Sequence, residues 1–185
     1  MTKRYEPIPL ESMNAEQKRV AQDLINGPRK GLRGPFNALL RNPLLAKRVG
    51  KLGDSIRFEN TLPDLLREFA ILITAKFWAA DYEWYVHSKL ALEFGLKQSI
   101  VEDIREDRYP KDMTPDQELI YQVCSEILFK KDISDETYSH AIESLGEVTL
   151  LDLLATVGYF GFVSVILNAI RQPIPEDAIP LKKPT

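Results

Sequence analysis

Between Leu62 and Trp78 the chain reads LPDLLREFAILITAKFW, a nearly unbroken apolar run with helical spacing. Glu68 stands inside it, between Leu65 and Leu72 on one helical face. A carboxylate among apolar side chains is costly unless it is paired or used. Two readings are open. In one, Glu68 is structural and pairs with Lys76 or with Arg67 of a neighbouring chain. In the other it belongs to a site, and His87 is its partner. On one straight helix these two residues, nineteen positions apart, would be separated by roughly 28 Å. They can cooperate only if the chain folds back between them. Ala79-Ala80-Asp81 is where that break is expected, which makes Arg67 to Gly95 a helical hairpin.

The second arm of the hairpin opens at Asp81, a suitable N-cap, runs from Tyr82 to Phe94 and stops at Gly95. Glu83, His87, Leu90 and Phe94 follow at intervals of four, three and four, so they share a face. That face is polar in its first turn and apolar afterwards, as at the edge of a pocket. Glu83 is placed to orient the imidazole of His87 and to raise its proton affinity. The plainer reading is a surface pair contributing a few tenths of a kcal/mol.

No alternation of apolar and polar residues persists over more than five positions, so the expected class is all-α, a compact helical bundle around the hairpin. The 185 residues suit one domain, 1–185, with an extended arm over 1–13 and an extended tail over 172–185. The Pro-rich tail is expected to wrap a neighbouring subunit. Further helices are expected from the Asn14–Gln17 capping box to Asn26, over Phe36–Arg41, and over Leu44–Phe58 behind Asn42-Pro43. Others open at a Ser99–Glu102 capping box, at Thr114-Pro115-Asp116-Gln117 (running to about Phe129), and at Ser134 (closing near Gly146). His140, on that last helix, has no carboxylate at i−4 and reads as exposed.

Leu153 to Ile170 is eighteen residues without a charge, at the lower limit for a membrane span. Thr156, Gly158, Gly161, Ser164 and Asn168 within it, and the amphipathic helices needing a surface to cover, favour a core helix or subunit interface over a span. A net charge of −3 gives no footprint for nucleic acid. The single cysteine, Cys124, fits a reducing cytoplasm, and MTKRYEPIPLESM has no signal-peptide core. Cys124 shares an apolar face with Ile120, Val123, Ile127 and Leu128, the pattern of a buried inert thiol. No ligand set for a metal and no nucleotide-binding fingerprint is present, so neither metal nor cofactor is expected. The loop GPRKGLRGPF carries Arg29, Lys30 and Arg33, which read as a solvated loop or as contacts for a substrate carboxylate.

The order RE-x-A-I-L, then Y-E-W-x-x-H, then A-x-x-x-G-L resembles the carboxymuconolactone decarboxylase family, which includes the alkylhydroperoxidase D proteins. GPFNALLRNPLLAKRVGKLGDSIRF upstream and DLLATVGYFGFVSVILNAIRQPIP downstream look like its longer members, so the resemblance covers most of residues 34 to 175. It implies a homo-trimer or homo-hexamer with sites near subunit contacts. Redox members carry C-x-x-C four residues before the histidine. Aligned on His87, those cysteines fall at Ala80 and Glu83, so thiol peroxidase chemistry does not carry over.

The function implied is cofactor-free decarboxylation of a carboxylated lactone or related ring-cleavage product of aromatic catabolism. His87 would donate the proton or stabilise the enolate, Glu83 would orient it, and Glu68 would serve as acid or proton relay. Arg67, Trp84, Arg29 and Arg33 are candidates for substrate contacts. The alternatives are a hydroperoxidase-like or other acid–base enzyme of the same superfamily, and a non-catalytic helical oligomer that binds small acids.

Overall fold

The computed structural model describes residues 4–183, and among them every regular element is helical. The first three residues of the expected arm and the last two of the tail lie outside the described residues. The chain forms two compact units. One comprises residues up to Asn60 together with Ile166–Pro173, and the other Thr61–Val165 together with the chain from Ile174 onward.

In the first unit, α1 (Ala15–Asn26) is opened by the reciprocal capping box of Asn14 and Gln17. The short α2 (Phe36–Leu39) leads into α3 (Pro43–Phe58), whose N-cap Asn42 accepts the Leu45 N–H ahead of Pro43 at the first position. α1 packs on α3 where Gly50 faces Leu24. A Cβ at Gly50 would stand 2.7 Å from Leu24 Cδ2, so the glycine leaves room for the Leu24 side chain in its present rotamer.

The second unit holds the hairpin. α4 (Asp64–Phe77) is buried at every position from Leu66 to Ala75, and it packs against α5 (Asp81–Glu93), α6 (Gln98–Arg105) and α7 (Pro115–Ser125). Its burial on all sides explains the continuous apolar run in its sequence. Ala79 makes the turn with φ 45°, a left-handed conformation adopted here by a residue with a side chain. Thr114 and Gln117 form the capping box that opens α7. α7 continues into a π-helical turn, Glu126–Lys130, which ends at left-handed Lys131. Glu126 accepts the Ser134 N–H at 2.8 Å and pairs with Lys130, and these contacts hold its carboxyl down at about 2.

One helix start is corrected, and one helix end holds. The span α8 (Asp135–Ile170) is two helices joined across a kink: the first closes at Gly146, which leaves helical geometry at φ 78° and ψ 164°, and the second follows it to Ile170. α6 starts at Gln98 without a Ser99–Glu102 box, because Ser99 Oγ donates to Asp112 and Glu102 accepts from Gln98. Ile179–Leu181 of the tail pack on their own chain. Arg105 Nη2 donates to the carbonyls of Ile179 and Pro180 at 2.9 and 3.2 Å, and Leu181 is buried in the apolar core. Burying that leucine stabilises the strap by about 1.5–3 kcal/mol.

By length and composition α8 could cross a membrane, and 56% of its most apolar window is buried within the protein. Thr156 Oγ1 donates to the Asp152 carbonyl inside the helix, so its hydroxyl is satisfied without a partner helix.

Candidate active site: a histidine between two glutamates

The break at Ala79 returns the chain so that α4 and α5 lie side by side and Glu68 meets His87. His87 Nδ1 stands 2.5 Å from Glu68 Oε2, and Nε2 stands 3.1 Å from Glu83 Oε2. The first contact joins the hairpin arms and the second is the i, i+4 pair within α5. All three side chains are buried, each less than a tenth exposed. Phe160 of α8 closes the site, its ring edge-on to the imidazole with centroids 4.9 Å apart.

Burial alone disfavours the imidazolium, but the charge and hydrogen bond of Glu68, reinforced by Glu83, outweigh it and push His87 up to about 9. Each nitrogen faces a carboxylate oxygen, and only the doubly protonated ring can donate to both. The cluster is therefore an imidazolium held between two carboxylates. If either carboxylate moves aside, the freed N–H points at whatever takes its place. The longer Glu83 contact is the easier to open.

Arg67 Nη2 donates to Asp64 Oδ1 at 2.7 Å and lies 3.9 Å from Glu68 Oε1. Of the structural pairings within one chain, the expected Lys76–Glu68 pair is not formed. Lys76 is taken by the Arg105 carbonyl and Asp107, and Arg67 turns to Asp64. The buried Arg67 Nε has no hydrogen-bond partner, so this guanidinium keeps a donor unused beside Glu68.

The other candidates are placed differently. Trp84, one residue from Glu83, is buried as part of the apolar core of the second unit. Arg29 belongs to the first unit, where it pairs with Asp54 at 2.7 Å and lies over the Phe36 ring; Arg33 is exposed there. Leu90 is half-buried and Phe94 exposed, so the shared face of α5 is buried only over its first turns. Asp81 is the first residue of α5, with Ala80 at the N-cap, and its Oδ1 accepts the Leu181 N–H at 2.8 Å. A cap needs the carboxylate folded back on its own helix, and the strap has drawn it away.

Cys124 is fully buried, and burial pushes its thiol far above the ordinary range. His140 is exposed. Among the described residues no group of three or more His, Cys, Asp or Glu side chains is arranged to hold a metal ion. An apolar cavity of about 510 Å³, lined by Trp78, Leu128, Val157, Gly161 and Phe162 among others, lies elsewhere in the second unit and includes none of the three cluster residues.

Sequence reasoning missed Phe160 and Asp64. Phe160 is one of many apolar residues in an uncharged helix, with no local signal to single it out. Asp64, three residues before Arg67, could have been found from its i, i+3 spacing.

No protein-family model matches this chain, and no curated protein matches it.

Proposed function

We propose that this protein is a cofactor-free enzyme that transfers a proton to carbon, a carboxymuconolactone decarboxylase-like protein without the redox cysteine pair. The observation that carries the reading is His87 held between Glu68 and Glu83 at 2.5 and 3.1 Å. Loss of carbon dioxide from a carboxylated lactone leaves an electron pair on carbon, delocalised as an enolate. A buried imidazolium beside it stabilises that charge and then protonates the carbon. Glu83 gives up its hold on Nε2 when substrate enters, so the proton delivered to carbon leaves from Nε2. Glu68 keeps the Nδ1 proton and holds the ring, and Nε2 takes a proton from solvent once product has left. The closeness of Glu68 and Glu83 disfavours a substrate carboxylate and favours its departure as neutral carbon dioxide.

A thiol route would have to use Cys124, whose burial opposes formation of the thiolate. The reading carries with it a cytoplasmic homo-trimer or homo-hexamer. In support, α8 leaves Val148, Leu151, Phe162 and Val165 exposed along its length, a face suited to a subunit contact.

The test is carbon dioxide release from 4-carboxymuconolactone by wild type and by His87→Gln. Release by wild type alone supports the proposal, and turnover that survives the substitution removes His87 from the mechanism. A second reading has its own observation: both imidazole nitrogens are engaged and the whole cluster is buried, as in a structural ion cluster of a non-catalytic protein that binds small acids. His87→Gln costs stability on either reading; on this one wild type releases no carbon dioxide.

A further inference from the structure

The turn between α4 and α5 is held from outside the hairpin. Asp81 Oδ1 accepts the Leu181 N–H at 2.8 Å, and Asp81 Oδ2 pairs with Lys183 Nζ at 3.0 Å. Lys183 Nζ also donates to the carbonyl of Ala79, the residue whose left-handed backbone makes the turn. The strap is anchored again by Arg105, by the buried Leu181 and by the Lys182–Glu106 pair at 2.7 Å. At the other end of the linkage, α5 begins at Asp81 and its N-cap, Ala80, supplies no side-chain hydrogen bond, so the first turn lacks the usual local restraint. Glu83 lies in that first turn, and its 3.1 Å contact with Nε2 is the longer of the two on His87.

From this linkage we infer that Asp81 is a positioning residue, and that Ile179–Lys183 is a latch which, through Asp81, sets the first turn of α5 and with it the placement of Glu83 on His87. An L-residue held at positive φ is a conformation that its surroundings must enforce, and the latch bonds directly to that residue's carbonyl. The ion pairs of Lys182 and Lys183 stand at the surface, so the latch is open to solvent while the cluster it governs is not. The groups facing His87 are Glu68 from α4, Glu83 from α5 and the Phe160 ring from α8, with the Arg67 guanidinium behind Glu68. Only Glu83 lies in the turn that the latch holds.

The inference rests on the proposed function only for its consequence in turnover. The experiment that tests it needs no substrate. The His87 ring is titrated by nitrogen-detected NMR in the full chain, and amide exchange is followed over residues 81–87. The variants are Asp81→Ala, Asp81→Asn and Lys183→Met. Asp81→Asn keeps an oxygen for the Leu181 N–H, and Lys183→Met leaves the core untouched. With the latch weakened in Asp81→Ala and Lys183→Met, exchange in the first turn of α5 should rise about tenfold. The His87 midpoint should fall by about one pH unit as Glu83 loses its hold. Asp81→Asn should recover much of both. If Asp81→Ala does not fold, Lys183→Met alone decides. A folded Lys183→Met variant with unchanged titration and exchange overturns the latch. A failed carbon dioxide assay, by contrast, bears on the proposed function and leaves this result standing.

Discussion

His87 is charged in a place from which water is excluded, and that charge makes stability depend on pH. Its folded value of about 9 lies above the ordinary 6.5. The contribution is therefore fully present below pH 6.5 and is lost as pH rises through about 9. The size is on the order of 3 kcal/mol. Urea unfolding at neutral pH and at pH values above 9 should show it, and His87→Gln should flatten that part of the profile. Removing one partner is worse than removing the charge. Glu68→Ala leaves a buried imidazolium with only Glu83, and chemical denaturation should report a loss of about 3–5 kcal/mol. The pairing of Glu83 with His87 was legible in the four-residue spacing. The pairing of Glu68 with His87 was legible only as a condition, that the chain must turn at Ala79–Asp81. The unused donor on Arg67 was not legible, because an orphaned atom is defined by everything that fails to reach it.

Helix boundaries followed local chemistry where the cap residue had nothing else to bind. Asn14, Asn42 and Thr114 each accept an N–H of their own helix, as their sequences imply. Asp81 and Ser99 look equally suitable, yet they bind Leu181 and Asp112, partners distant in sequence. Two glycines of α8 separate backbone from packing. Gly146 holds φ 78° and ψ 164°, and a Cβ there would meet nothing within 4 Å. Gly146→Ala should therefore cost about 1–3 kcal/mol through backbone strain alone. Gly158 is helical and equally uncrowded, so Gly158→Ala should raise stability by about 0.4–1 kcal/mol. Thermal melts of the two variants should move in opposite directions.

For the molecule as a whole, Cys124 reports on opening of the second unit. It is fully buried among Ile120, Val123 and Leu128 in that unit's core. An aromatic disulfide reagent should label it only as fast as the unit unfolds, and labelling should accelerate with denaturant in step with loss of helical signal. The exposed face of α8 bears on assembly. Leu151→Glu should shift a sedimenting oligomer towards monomer if that face is the contact, with the helical signal unchanged.

Periodicity and composition were enough for the all-helical class, for most helix starts and for the thiol's burial, because each depends on residues within a few turns of one another. Glu68 was marked as exceptional by its apolar neighbours alone. Tertiary structure decided which partner it took, since Lys76, Arg67 and His87 are all chemically suitable and only the hairpin geometry ranks them. It also decided where the tail lies and what Asp81 binds. Those contacts join residues a hundred positions apart, and nothing in the local sequence at either end determines them.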